Sequence, residues 1–167
     1  MIFVTVGAQM AFDRLIRTVD EWAGSHDGTD VFAQIGPSNY HPRFIRVTKF
    51  IDPPDFRKTV EASNLIVAHA GMGSIITALE LGKPIIVMPR RGDLRETRND
   101  HQVATANYLV KGARVVVALD EEMLLRKLDR MDSLAATERI GTSASPELIG
   151  KLREFIEHRT ESAFEPH

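Results

Sequence analysis

The sequence contains no cysteine in its 167 residues, so it offers neither a disulfide framework nor a zinc ribbon, and no thiol nucleophile. It also lacks an excess of one charge, because 21 Lys and Arg face 23 Asp and Glu, for a formal net charge of −2 at pH 7. Such a balance gives no field that would draw the chain onto nucleic acid or an anionic membrane. We therefore expect no nucleic-acid partner. The absence of cysteine is compatible with a cytoplasmic location.

Long apolar runs are missing as well. None approaches the ~20 residues that a helix needs to span a bilayer, so we expect no direct membrane insertion, and recruitment to the inner face of the membrane only through a partner. The first apolar run ends at Gly7 and has no basic segment before it. This is typical of a β-strand and not of a signal peptide.

Short apolar runs alternate with segments of helical periodicity along the chain. Strands are predicted at residues 2–6, 31–35, 44–51, 65–68, 85–88 and 113–119. Helices are predicted at residues 10–23, 53–62, 74–81, 100–111 and from the N-cap Asp120 to about Met131. The alternation predicts an α/β fold, a single Rossmann-like domain with a doubly wound parallel sheet.

The same pattern sets the predicted domain organisation. Residues 1–131 form the α/β domain, and 132–145 are a small, polar connection. Residues 146–158 carry apolar side chains at helical spacing and are predicted as a C-terminal helix that packs on the domain or docks a partner. Residues 159–167 are expected to be a frayed tail.

Ligands of open parallel sheets bind beyond the carboxyl ends of the strands, and the segment His69–Ser74, HAGMGS, lies at such an end. Gly71 and Gly73 remove side chains where a backbone must approach another group closely. The helix that starts there offers free N–H groups and the positive end of its dipole to an anion. The alternative is a tight strand-to-helix turn that needs glycine for geometry alone. The pattern is neither a Walker loop nor a dinucleotide fingerprint.

The loop that follows the fifth predicted strand is rich in arginine. Four arginines lie among three acidic residues, at Arg90, Arg91, Arg95 and Arg98. Balanced charge is typical of a solvated surface loop; the alternative is that one or two arginines close over a phosphate or a sugar carboxylate. His101 and Gln102 then bring neutral hydrogen-bonding groups suited to sugar hydroxyls. We find no Asp-x-Asp element and no credible metal-ligand spacing, and we predict neither a metal nor a cofactor.

Several motifs in order resemble the C-terminal, donor-binding domain of GT-B glycosyltransferases of family 28. They are HAGMGS at 69–74, ALELGKP at 78–84, Pro89 and NDHQ at 99–102, preceded by FVTVG at 3–7, FDRL at 12–15 and FID at 50–52. Over roughly residues 1–120 the chain is similar to the small stand-alone proteins of the Alg13 type and their bacterial exopolysaccharide counterparts of the PssE type.

The resemblance implies a role for each matching position. The diphosphate of a UDP-sugar would lie on a group of five residues, His69, Gly71, Met72, Gly73 and Ser74. The uracil would meet Phe50 and Ile51, and the donor sugar would meet His101 and Gln102. The crevice between donor and acceptor would be flanked by Gly7, Ala8 and Gln9.

One position departs from the family pattern. Many relatives carry a glutamate that binds the ribose where this chain has Thr77. Glu80 is the nearest carboxylate, about one helical turn further on. The ribose contact therefore falls to Thr77 or to Glu80.

The resemblance also implies an activity, since a full GT-B enzyme has two such domains and this chain has room for one. It would be the donor-binding, catalytic subunit of a split hexosyltransferase that moves a sugar from a UDP-sugar to a lipid-linked or polysaccharide acceptor. An Alg14-like, membrane-attached subunit would bring the acceptor, and the chain alone would self-associate. No general base is identified in this chain; His69 is a candidate, but we expect the missing subunit to supply the base. The alternatives are a non-catalytic nucleotide-sugar-binding or regulatory subunit, and a sugar-nucleotide epimerase, against which the length argues.

Overall fold

The computed structural model describes residues 1–97, 102, 106 and 115–134. Within these residues six strands form one sheet: β1 (Ile2–Thr5), β2 (Val31–Gln34), β3 (Arg46–Thr48), β4 (Leu65–His69), β5 (Ile85–Met88) and β6 (Val116–Val117). The α-helices of this part of the chain are α1 (Asp13–Gly24), α2 (Pro53–Ala62), α3 (Met72–Glu80) and α4 (Glu121–Leu128), and a 3₁₀ helix follows at Met131–Ser133. Gln102 and Ala106 are also helical.

All neighbouring strands of the sheet are parallel, in the order β3-β2-β1-β4-β5-β6. β1 therefore lies in the middle, and Ile2 is in register with Val31 on one side and with Leu65 on the other. The order reverses between β1 and β4, and a doubly wound sheet binds its ligands at such a switch point. The predicted fold class is confirmed.

Helices cover both faces of the sheet in the described part of the chain, because successive side chains of a buried strand point to opposite faces. The face under α1 and α4 includes Ile2, Val4, Phe12, Leu15, Ile16, Val67, Leu124 and Leu128. The face under α2 and α3 includes Phe3, Val60, Ile66, Ile75, Ala78, Ile85 and Val87. The carboxyl ends of the strands are left uncovered by these helices, and the candidate site lies there.

Local sequence signals fix several of the helix ends. The Asp120 side chain accepts the N–H of Met123 at 2.7 Å, as predicted for the α4 cap. The predicted helix Pro53–Ala62 and strand Ile85–Met88 are confirmed at both ends.

The end of α3 follows the predicted glycine stop. Gly82 adopts a positive φ of 65° and donates its N–H to Leu79 at 3.1 Å, while Lys83 donates to Ala78 at 2.9 Å. These two bonds satisfy carbonyls that the helix leaves open, which is the Schellman arrangement.

Two predicted elements begin at the wrong residue. α1 starts at Asp13 and not at Met10, because the Met10 carbonyl turns to the Arg90 guanidinium at 2.6 Å. α3 starts at Met72 and not at Ser74. Gly71 is its extended N-cap residue, which glycine tolerates well, so Gly73 is already helical.

The third strand is much shorter than the predicted 44–51. The buried carboxylate of Asp20 accepts the N–H of Phe44 at 2.8 Å and that of Arg43 at 3.0 Å, so this stretch is tied to α1 and only Arg46–Thr48 pairs with β2. The sixth strand is Val116–Val117, where 113–119 was predicted.

Parts of the predicted organisation lie outside the described residues. These are most of the helix at 100–111, the connection beyond residue 134, the C-terminal helix at 146–158 and the tail at 159–167. The first described part of the connection is the 3₁₀ helix, followed by Leu134, which packs against the core under α1 and α4. In the described part of the chain no helix combines the length and the apolar character needed to cross a membrane.

Candidate functional site

The start of α3 is the most open feature at the carboxyl edge of the sheet. Its first intrahelical bond runs from the Ile75 N–H to the Gly71 carbonyl at 3.3 Å, and its N-cap has no side-chain bond. The N–H groups of Met72, Gly73 and Ser74 have no acceptor among the described residues. A Cβ built on Gly73 meets nothing within 4 Å. The helix therefore presents three free donors, the positive end of its dipole and open space to an anion.

Two further glycines near this edge, Gly7 and Gly71, make room for a histidine. A Cβ on Gly71 would lie 2.1 Å from Nε2 of His69, and a Cβ on Gly7 would lie 2.9 Å from its Cε1. Gly7 also has a φ of +76°, which side chains rarely adopt. The imidazole thus lies between the backbones at the ends of β1 and β4. The sequence assigned Gly71 and Gly73 one common role; in the structure, Gly73 alone faces open space.

The electrostatics of His69 make it a neutral side chain at physiological pH. Burial, and secondly the positive charge of Arg90, lower its pKa from 6.5 to about 4. Its Nδ1 is buried, has no hydrogen-bond partner in the described part of the chain and is not open to a ligand. His69 therefore brings no positive charge to the site.

The remaining candidate residues on α3 differ in burial and in whether their side chains already have hydrogen-bond or ion-pair partners. Ser74 is buried to 8% exposure next to the open donors. The Thr77 hydroxyl donates to the Gly73 carbonyl at 2.9 Å, so its proton is engaged and its oxygen can only accept. Glu80 pairs with Arg57 of α2 at 2.9 Å. The assignment of the ribose to Thr77 or Glu80 stays a prediction.

The uracil-side pair lies just beyond β3. The Phe50 side chain is 57% exposed, and the Thr48 hydroxyl donates to the Phe50 carbonyl at 3.1 Å. Ile51 is half-buried against the core under α2 and α3. An exposed ring beside a fixed backbone suits stacking or edge contact with a base. The role of the pair stays a prediction.

Arg90 is not the surface residue that the loop composition indicated. It is 4% exposed, and its Nη2 donates to the carbonyls of Val6 at 2.8 Å and Met10 at 2.6 Å. Its backbone N–H donates to Oε1 of Gln102 at 3.1 Å. Because the guanidinium is hydrogen-bonded to the loop between β1 and α1 (the β1 loop), Arg90 is not available to bind a phosphate.

The rest of the described loop is an ordered turn held by Glu96. This carboxylate accepts from Nε of Arg14 at 2.6 Å and from the N–H of Arg91 at 2.9 Å. The Arg91 side chain pairs with Asp93 at the surface. Sequence reasoning missed the role of Arg14, because its partner is far away in the chain and no local pattern marks it.

The predicted crevice residues lie on the loop between β1 and α1. Ala8 and Gln9 are exposed, and the Gly7 N–H donates to the Thr5 hydroxyl at 3.1 Å. The structure therefore brings Gly7, His69, Gln102 and the start of α3 to one edge, through contacts of Gly7 with His69 and of Arg90 with Gln102. His101 lies outside the described residues.

The described part of the chain also has a groove outside the candidate site. It has a volume of about 530 Å³, lies along α1 and α4 and is lined by Arg17, Glu21, His26 and Asp129 among others. Across residues 1–97, 102, 106 and 115–134, no three His, Asp or Glu side chains come together in a way that could hold a metal ion. The predicted independence from metals and cofactors stays a prediction.

Comparison with known proteins gives concordant matches. The sequence profile of the glycosyltransferase family 28 C-terminal domain matches residues 1–143. The UDP-N-acetylglucosamine transferase subunit ALG13 of Yarrowia lipolytica is 24% identical over 139 residues, which are 73% of this chain and 66% of that protein. The chain thus spans just under two thirds of this relative's length.

Two solved structures share the fold. The glycotransferase of kitacinnamycin superposes with a TM-score of 0.60 at 20% identity, over 79% of this chain and 34% of that one. The solution structure of ALG13 superposes with a TM-score of 0.58 at 18% identity, over 85% and 90% of the two chains. The two superpositions show that this chain shares the Rossmann-like fold of these proteins.

Proposed function

Because this chain belongs to the glycosyltransferase family 28 C-terminal domain family, we propose that it is the donor-binding subunit of a split glycosyltransferase. It transfers a hexose from a UDP-sugar to a lipid-linked or polysaccharide acceptor, as in exopolysaccharide synthesis. UDP-N-acetylglucosamine is the first donor to test, since it is in the name of the Yarrowia relative. The observation that carries the proposal is the open start of α3, with Gly73 facing free space.

The chemistry of sugar transfer fits this helix start. As the bond to the sugar breaks, negative charge develops on the departing diphosphate. The N–H groups of Met72, Gly73 and Ser74 and the helix dipole are already oriented toward that charge, so they stabilise it without reorganising. His69 adds a neutral hydrogen-bonding group beside them, and no step of this mechanism uses a metal.

The general base is assigned to a partner and not to His69. A base whose conjugate acid has a pKa of about 4 is nearly always unprotonated at pH 7 but takes a proton from a hydroxyl only weakly. The acceptor hydroxyl is therefore activated from the other side of the crevice. An Alg14-like subunit at the cytoplasmic face of the membrane would supply both the base and the lipid-linked acceptor.

A second candidate is a non-catalytic nucleotide-sugar-binding or regulatory subunit. This regulatory subunit would bind the same ligands as the proposed catalytic subunit. The observation that favours it is that His69 is neutral and only weakly basic, so this side chain offers no strong base. The two are separated by activity, since only the catalytic subunit forms product when it is mixed with its membrane-attached partner and an acceptor. Failure of the reconstituted pair to transfer sugar, with UDP binding intact, would favour the regulatory role.

The donor assignment is tested by thermal unfolding with UDP, GDP, TDP and several UDP-sugars. A ligand that binds the native state raises the apparent stability by about 2.7 kcal/mol at a concentration one hundred times its Kd. We expect uridine nucleotides to raise Tm. Gly73→Trp should remove that effect, because an indole would fill the space before the three free N–H groups. Absence of any response to uridine nucleotides, or full UDP binding by Gly73→Trp, would contradict the assignment.

A further inference from the structure

Arg90 has an unusual environment for a residue in an arginine-rich loop. It is a buried cation, yet no carboxylate of the described residues pairs with it; its Nη2 bonds to the carbonyls of Val6 and Met10 and approaches that of Ala11 at 3.4 Å. Its Nε is buried without a partner there. The Glu96 carboxylate acts on this cation through space without forming an ion pair with it, and burying a charge without a direct ion pair is costly. An apolar side chain would fill the same space at less cost, so filling space does not account for this residue.

The bonds of Arg90 reach both sides of the proposed crevice. Val6 and Met10 bracket the loop Gly7–Gln9, so one guanidinium nitrogen holds the loop at both of its ends. The backbone N–H of the same residue holds Oε1 of Gln102 at 3.1 Å. The guanidinium also lies over the Phe12 ring, 5.2 Å from its centroid, which limits its movement.

We propose that Arg90 is a positioning residue that fixes the loop Gly7–Gln9 and the Gln102 side chain in one geometry around the donor sugar. This inference rests on the proposed function, because it assigns the sugar to the gap between these two elements. Arg90 itself does not touch the substrate. Its substitution therefore acts on the sugar part of the donor and spares the diphosphate, which is bound by α3.

The test uses Arg90→Lys, with Arg126→Lys as the matched control. Lysine keeps the charge but cannot reproduce the planar guanidinium that reaches several carbonyls. The control changes an exposed arginine in the last turn of α4 whose side chain pairs with Glu122. Isothermal titration gives the Kd of UDP and of UDP-N-acetylglucosamine for each protein, and the ratio of the two reports on the sugar alone.

We expect Arg90→Lys to bind UDP within about twofold of the wild type. The ratio of the UDP-sugar Kd to the UDP Kd should rise about two- to tenfold, the range that corresponds to one net hydrogen bond. Arg126→Lys should leave both values unchanged. If Arg90 had a merely structural role, Arg90→Lys would weaken the binding of UDP and of the UDP-sugar equally, and the ratio of the two Kd values would not change. That result would overturn the inference.

Amide hydrogen exchange of the free protein gives a readout that needs no ligand. Arg90→Lys should speed exchange in the segment 7–11 and leave the segment 66–69 of β4 protected, while Arg126→Lys changes neither. Unchanged exchange in 7–11 would also overturn the inference. If the wild type binds no uridine nucleotide, the proposed function fails and the sugar role of Arg90 fails with it. If the wild type binds but its Kd ratio does not respond to Arg90→Lys, only the inference fails.

Discussion

The two glycines of the β4–α3 turn should respond in opposite ways to the same substitution. Gly71→Ala places a methyl group 2.1 Å from Nε2 of His69, which is far below any contact distance. The ring cannot move away freely, because the Gly7 backbone lies close on its other side. Gly73→Ala meets nothing within 4 Å and lies in a helical conformation that alanine favours.

The expected magnitudes follow from these contacts. Overpacking a well-packed site costs about 1–3 kcal/mol, and each kcal/mol lowers Tm by about 2–4 °C in a chain of this size. Gly71→Ala should therefore lower Tm by about 2–12 °C. Gly73→Ala should raise stability by up to about 1 kcal/mol, because glycine in a helix is less favourable than alanine by that amount. It should nevertheless weaken UDP binding, since its methyl group stands where the phosphates approach.

The assay is urea unfolding and UDP titration of both variants, alone and in a His69→Ala background. Without the imidazole, Gly71→Ala has no clash, so the double mutant should cost less than the sum of the two single changes by about 1–3 kcal/mol. The reasoning is refuted if Gly71→Ala is neutral, if its cost persists without His69, or if Gly73→Ala leaves UDP affinity unchanged.

Two further predictions concern pH and the buried carboxylate. The pKa of His69 is lowered to about 4 in the folded chain, so the unfolded chain binds the proton more readily; its contribution to stability is complete above pH 6.5 and is lost as the pH falls toward 4. The decline of Tm over that window should be shallower in His69→Gln than in the wild type, and an equal decline would contradict the shift. Asp20→Ala removes the buried carboxylate that accepts the backbone N–H groups of Arg43 and Phe44 and the Tyr40 hydroxyl, and it should cost about 2–4 kcal/mol in urea unfolding, against about 1 kcal/mol for Tyr40→Phe, which removes only one hydroxyl. Equal costs would show that the backbone bonds of Asp20 contribute nothing.

The fold was predictable because its determinants are local. Apolar runs such as Ile85–Met88 have no polar alternation, Pro53 opens a helix, and Gly82 ends one with a left-handed residue. Each signal lies within a few positions of the element that it controls. The boundaries that were wrong depend on distant partners: Asp20 shortens the strand that begins at Arg46, and Arg90 delays the start of α1.

The position of the glycine-rich turn at the edge of the sheet was predictable from the sequence, but the separate roles of its two glycines were not. A pair of glycines after a strand indicates close approach, and nothing in the sequence says whether a ligand or a side chain approaches. Gly71 makes room for His69, whereas Gly73 faces open space, a distinction that requires coordinates. In the same way the composition of the arginine-rich loop predicted solvated charges or a phosphate clamp. The buried Arg90, bonded to main-chain carbonyls of the β1 loop, fits neither interpretation.

The central place of β1 has a consequence for how the chain assembles on the ribosome. Its register pairs Ile2 with Val31 and with Leu65, so one edge of β1 can be covered early in synthesis and the other only after β4 has emerged. Until then, β1 exposes unpaired backbone groups that invite pairing with other nascent chains. Joining the two halves of the sheet is also a contact of long sequence separation, which is slow to form. The crevice lies on this seam, so binding competence should be acquired only after the two halves of the sheet have joined.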